Sequence, residues 1–320
     1  MRSAWRTWVQ LWDHREAPHS LALIRILLGL VVCWDLFWIG WLDLVVPLMA
    51  TPDVGGFSPA LARPRPPLWF QWTPHTVESA WLLYGLLLGS AIGWTTGTFT
   101  RLSMLVFVLC SAQFEQILPN ASRAIDTLIR NVLLILLFSE SHRIASVDSW
   151  LRAKWGGSSL APTIPAWPRH LIVLQLVIMY FLAGIQKFGV TWMPMGHFSA
   201  LYLILQDATM AVRRFDFLAQ PPWYQLTQVS TAITLLWEWS TPILLWSFWC
   251  RHTHERPGRL RAWTLRFQPH LWWAGVGVIF HVLIATTLQL GIFPWAMLAL
   301  YVAFIHPNQL PLTRTRSRPS

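Results

Sequence analysis

Stretches of apolar sequence too long for the core of a water-soluble domain recur along this chain, and they decide most of what it can fold into. The first runs from His19 to Leu42, and others read near 79–96, 102–118, 127–140, 169–189, 226–250, 271–289 and 292–306. Lipid offers no partner to backbone N–H and C=O groups, so a segment that crosses it must satisfy them internally, as a helix does. The expected fold is therefore all-α, a polytopic transmembrane helical bundle of about eight spans. Over 320 residues, 54% hydrophobic and 12% charged side chains with a mean hydropathy of +0.43 do not describe a soluble two-domain protein. The 23 Trp fit the same picture, since indoles anchor helix ends at the headgroup level.

Charge gives an independent reading of orientation, because cytoplasmic loops hold the excess of Lys and Arg. With eight spans and both termini inside, sixteen basic residues fall on the inner side and five, Arg63, Arg65, Arg123, Arg213 and Arg214, on the outer. The remaining Arg25, Arg130 and Lys187 lie within spans. Residues 1–18 read as an interfacial amphipathic helix, with Trp5, Trp8 and Trp12 on one face. Residues 19–308 form the transmembrane domain, and 309–320 a basic disordered tail. The first apolar run is too long for a signal-peptide core and no small-residue cleavage site follows it, so it should remain as a helix.

Between the spans, the breaker-rich loop 43–78 is expected to lack regular structure and to lie across the bundle mouth. Ser146 should cap a short surface helix ending near Trp155, and Phe198–Leu205 should form a re-entrant or interfacial helix. Cys33, Cys110 and Cys250 all sit in apolar stretches, so neither a disulfide framework nor a thiolate site is expected. No two of the 11 His have metal-ligand spacing on a span, and no metal is expected. The net charge of +10 is dispersed among short loops rather than gathered in a stripe, which points to membrane orientation and not to nucleic acid.

Lys187 is the residue that calls for a chemical explanation. Only it and Lys154 are lysine among the 24 basic residues, although Arg would supply a plain charge equally well. Lysine differs from arginine in that a dry environment can strip its proton and leave a base. Ionisable groups at membrane depth are functional candidates, but a lysine at a helix end can also snorkel to the headgroups. Asp126 at the start of the fourth span comes to the same depth, and its spacing from Arg130 is that of an intrahelical ion pair. Thr231, Thr234, Glu238 and Thr241 form one polar stripe that must face protein or water. Ala274, Gly277, His281 and Ala285 form a small-residue seam that admits a close helix neighbour, with His281 as a structural hydrogen-bonding group.

The string Tyr180-Phe-Leu-Ala-Gly-Ile-Gln-Lys187, followed by Trp192 and Gly196, resembles the signature of the HTTM (horizontally transferred transmembrane) family, whose best-known member is vitamin K-dependent γ-glutamyl carboxylase. The similarity continues through Ser146-Val-Asp148, the Glu238 region, Phe280-His281 and Leu290–Met297, and so covers nearly the whole chain. The resemblance implies that Lys187 is the base that deprotonates a quinol such as vitamin K hydroquinone, at an outward-facing site. It departs from the carboxylase in two places. Ile125 and Asp126 stand where that enzyme has a catalytic histidine, and the sequence ends soon after the eighth span, where that enzyme continues into a β-rich lumenal domain.

The sequence thus points to a lysine-base enzyme acting on a quinol-like, lipid-soluble substrate, with a quinol as cofactor. Trp192, Gly196, His197 and Asp126 would contact substrate, and Glu238 and His281 would support the site. Its partners would be membrane lipid and a small hydrophobic substrate. The rival is a non-enzymatic assembly factor or carrier in which Lys187 pairs with Asp126 or Glu115 to hold helices together. The abundance of Arg favours a bacterial cytoplasmic membrane; in a eukaryotic host Asn120-Ala-Ser122 would be an outer glycosylation sequon.

Overall fold

The computed structural model describes residues 2–59, 62–156 and 162–310. The Arg-rich tail beyond Leu310 lies outside the described residues. Helices dominate, in the order α1 (Arg2–Asp13), α2 (His19–Trp41), α3 (Val45–Met49), α4 (Leu68–Trp72), α5 (Val77–Thr96), α6 (Thr100–Ile117), α7 (Ala124–Leu137) and α8 (Val147–Lys154). They continue as α9 (Trp167–Gln186), α10 (Ala200–Gln206), α11 (Trp223–Trp239), α12 (Pro242–His252), α13 (Arg259–Phe267), α14 (Pro269–Thr287) and α15 (Phe293–Leu300). The chain divides into two compact units, one of Arg15–Pro168 with His306–Ser320 and the other of Met1–His14 with Arg169–Ile305.

Among the described residues four helices, α2, α5, α9 and α14, are long and apolar enough to cross a membrane. Their outward faces stay unburied: Trp272, Ile279 and Leu283 of α14 are 75%, 63% and 57% exposed. Contiguous apolar surface on this scale needs a lipid partner in place of water. The expectation of an all-α membrane protein is met at this level.

In the Arg15–Pro168 unit, α2 packs on α5, α5 on α6 and α6 on α7. A buried arginine pins them, for Arg25 donates to the carbonyls of Trp94 (2.8 Å) and Thr95 (2.6 Å) at the end of α5 and to that of Ala145 (2.5 Å). The Trp94 and Thr95 carbonyls are acceptors that the C-terminus of α5 leaves open, and that of Ala145 belongs to the turn before α8. Ser146 caps α8 by accepting from Ser149 N–H (3.0 Å), as its sequence position indicates. Asp148 then reaches back to α6 and accepts from Phe99 N–H (2.9 Å), Thr100 N–H (2.9 Å) and the Thr100 hydroxyl (2.7 Å). Burial opposes the Asp148 charge, but these hydrogen bonds outweigh it and hold the carboxyl below its ordinary range. The 43–78 loop is more regular than its breakers suggest, since α3, α4 and a 3-10 turn at Pro52–Val54 form within it. Pro47, Pro52 and Pro67 sit inside or just before these short turns, where a missing N–H costs little.

In the other unit, α10 packs on α11, α12 on α13 and α14, and α14 on α15. The apolar run 226–250 is not one helix. It breaks between Trp239 and Pro242, because Pro242 has no N–H to give and its ring would crowd the carbonyl of Glu238. Thr241 takes over that carbonyl, donating its N–H (3.3 Å) and also its hydroxyl. The break leaves Glu238 in the last turn of α11. On the N-terminal side, Trp12 of α1 meets the His170 ring edge-on at 5.9 Å.

Candidate functional site

Tyr180, Gly184 and Lys187 recur at i, i+4 and i+7, so they share one face of α9 and its continuation, and that face is turned to the end of α11. Gly184 makes the approach possible. A Cβ there would stand 2.7 Å from Cδ1 of Trp239 and 3.0 Å from Cβ of Glu238, closer than side chains pack. With only hydrogen at that position, Lys187 Nζ reaches both carboxylate oxygens of Glu238. The pair is lopsided in depth, the lysine side chain being 22% exposed and the glutamate 4%. Trp192 closes the lysine from another direction, its ring centre 5.1 Å from Nζ, which is cation–π range.

The loop after α9 is built to present that ring. Val190–Trp192 and Pro194–Gly196 are successive 3-10 turns, and Gly196 folds directly against the first of them. A Cβ at Gly196 would stand 2.7 Å from the carbonyl carbon of Val190. His197 follows in the left-handed region at φ 56°, and its carbonyl accepts from Gln228 Nε2 of α11 at 2.6 Å. Its imidazole is exposed, so this residue tethers the loop through its backbone.

Behind the ion pair lies a chain of buried polar groups. The Tyr180 hydroxyl is 2.6 Å from His281 Nε2 and 2.8 Å from the Tyr301 hydroxyl. Trp237 and Trp273 stack at 4.5 Å beside it and exchange hydrogen bonds, each indole N–H donating to the other's carbonyl (3.1 and 3.0 Å). Gly277 of the small-residue seam gives room to Tyr301 and to Trp237, whose ring a Cβ would meet at 2.8 Å. His281 is fully buried, consistent with a structural hydrogen-bonding group.

The polar stripe of α11 and α12 turns inward, with Thr231, Glu238 and Thr241 buried and Thr234 half-buried. The ion pairs differ from those read by spacing. Asp126 is held by Arg123 (2.9 Å), which also binds Asp35 (2.6 Å), and Arg130 takes Glu115 instead of Asp126. Asp126 stands at the third position of α7, where its carboxylate accepts from the Arg123 N–H and relieves an open helix terminus. Lys187 is therefore paired with neither Asp126 nor Glu115, and its partner is Glu238. Trp237, Trp273 and Tyr301 were not singled out from the sequence, and Tyr180 entered only as the first residue of the string that ends at Lys187. Only the position of Tyr180 two turns before Lys187 hinted at them.

Chemically, the Lys187–Glu238 pair can hold one proton between an amine and a carboxylate, beside the Trp192 ring. Among the described residues no group of three or more His, Cys, Asp or Glu is placed to bind a metal ion. No solved structure matches the chain. The family profile described as the HTTM domain matches residues 14–249, a span that includes Lys187, Trp192, Glu238 and the Asp148 cap. The protein, an integral membrane protein, belongs to the HTTM family.

Proposed function

We propose that Lys187 and Glu238 form an acid–base pair acting on a lipid-soluble, quinol-like substrate at the outer side of the membrane. The observation that carries this reading is the pair itself, a lysine bound to a nearly closed carboxylate under a Trp192 lid. Passing the ammonium proton to Glu238 leaves an amine that can accept a hydroxyl proton from a quinol, and the resulting anion faces the re-formed ammonium. Exclusion of water strengthens that attraction and shields a reactive anion. In this reading Trp192 and Gly196 keep their place at the substrate and His281 supports the core behind it, whereas His197 and Asp126, read from sequence as substrate contacts, are left out.

Around this site we place eight spans between residues 19 and 308, α11 and α12 together making the sixth, with both termini in the cytoplasm and α1 lying on the bilayer. The sixteen-to-five charge asymmetry supports that arrangement, and the preference for Arg supports a bacterial cytoplasmic membrane. Reporter fusions after Thr98 and Leu160 should read cytoplasmic and those after Ala60 and Leu205 external; reversed signals at either pair remove the arrangement.

A second reading has its own support, because the same ion pair joins α9 to α11 and could serve only to hold them. Substituting Arg separates the two. Lys187→Arg preserves charge and reach but cannot become a neutral base, so turnover of a reduced quinone by the protein in lipid should vanish while the fold persists. Full turnover by that variant rules out the base, and a wild-type protein inert toward quinols leaves the structural reading standing.

A further inference from the structure

A hollow of about 480 Å³ opens between the start of α6 and α8, in the Arg15–Pro168 unit. Its polar wall consists of Arg101, His142 and Arg152, and its rim of Phe99, Leu102 and Trp155, which are 73%, 60% and 76% exposed. Neither Arg101 nor Arg152 forms an ion pair among the described residues; Arg101 reaches only the Ser139 carbonyl, at 3.4 Å. Asp148 also lines the hollow, but both of its oxygens are occupied by Phe99 and Thr100. Glu140 is engaged by Arg143. The two guanidinium groups thus face an open space with no carboxylate free to meet them.

His142 lines the hollow beside those charges. Burial, together with the fields of Arg101 and Arg152, holds its imidazole below the ordinary histidine range, and its Nδ1 has no hydrogen-bond partner. A neutral ring beside two arginines adds no further charge to the hollow. The exposed Trp155 at the rim selects where an anion sits, because Trp beside a membrane helix end marks the headgroup zone.

We infer that this hollow binds the phosphate diester of an anionic phospholipid, with Arg101 and Arg152 on the phosphate and Phe99, Leu102 and Trp155 against the glycerol and upper acyl chains. Basic hollows at helix ends recognise anionic headgroups in this way, and the inference is independent of what Lys187 does. Phosphate is the shared chemistry of a lipid and of soluble phosphate. The apolar rim commits the site to the lipid.

The test is native mass spectrometry of the full-length protein with phosphatidylglycerol titrated against phosphatidylcholine. Wild-type protein should retain one phosphatidylglycerol selectively. Arg101→Gln with Arg152→Gln should weaken it about twenty-five-fold, at roughly fivefold for each charge. A control of equal charge, Arg259→Gln with Arg261→Gln on α13, should leave retention unchanged. Arg152→Gln alone, at a half-exposed residue, should lose about fivefold and keeps the test open should the double variant fail to fold. Wild-type retention in the Arg101/Arg152 variants, equal loss in the control, or displacement of the lipid by millimolar inorganic phosphate overturns the assignment.

Discussion

Removing one member of the Lys187–Glu238 pair should cost different amounts depending on which member is left behind. In Lys187→Met the survivor is a carboxylate with a 4% exposed side chain, and breaking such a pair typically costs about 3–5 kcal/mol. Protonation confines that cost to the lower end of the range, since neutralising an ordinary glutamate at pH 7 takes about 3.7 kcal/mol. In Glu238→Leu the survivor is an ammonium that is already 22% exposed and lies over the Trp192 ring. It can turn toward water, so the cost should be near about 1 kcal/mol. The double variant Lys187→Met/Glu238→Leu should recover to within about 1 kcal/mol of wild type, because an apolar pair of similar volume replaces the ionic one. Denaturant unfolding in a fixed lipid–detergent mixture measures all four corners of this cycle. The reasoning fails if Glu238→Leu proves as costly as Lys187→Met, or if the double variant is no more stable than the worse single one.

Three further outcomes follow from other parts of the structure. Asp148→Asn should destabilise the protein by about 1–2 kcal/mol through loss of the cap on α6. Because the Asp148 carboxyl is held below its ordinary range, its contribution is present above about pH 4, the unfolded value, and fades as pH falls through the lower folded value. The gap between wild-type and Asp148→Asn melting temperatures should therefore be constant from pH 5 to 8 and close in stronger acid. Tyr180→Phe removes the hydroxyl shared by His281 and Tyr301 and should cost about 1–3 kcal/mol, read by the same unfolding assay. Gly184→Val should push α9 off Trp239 and Glu238, costing about 1–3 kcal/mol and lowering any lysine-dependent activity by more than the loss of folded protein explains.

The elements that hydropathy can see were legible: α2, α5, α9 and α14 occupy the apolar runs that announced them. The sixth run misled because its composition hid Pro242, whose missing N–H decides the backbone although it scarcely changes the average hydropathy. Spacing also misled at Asp126. The i, i+4 rule offered Arg130, but an open helix terminus and Arg123 next to Asp35 offered the carboxylate more hydrogen bonds. Glu238 was visible as part of an inward stripe, yet nothing local could join it to a lysine 51 residues earlier in the chain. Gly277 and His281 carried a partial signal. Their seam implied a close neighbour, which proved to be the ring of Tyr301.

Arg25 has a consequence for how the protein is made. It lies in the second turn of the first long helix, and its acceptors come 69, 70 and 120 residues later. At about 5–20 residues per second, ribosomes need roughly 6–24 seconds to extend the chain from Arg25 to Ala145. Until Trp94 and Thr95 emerge, roughly 3–14 seconds into that interval, the guanidinium has none of its final partners, and the cost of a bare arginine at helix centre, about 2.5–3.5 kcal/mol, is the upper bound for one in the second turn. The apolar residues that make up most of α2 are what carry it through that period. Swapping apolar residues of α2 for alanine should therefore reduce insertion during synthesis well before it harms the finished protein, because by then three carbonyls have taken over the task.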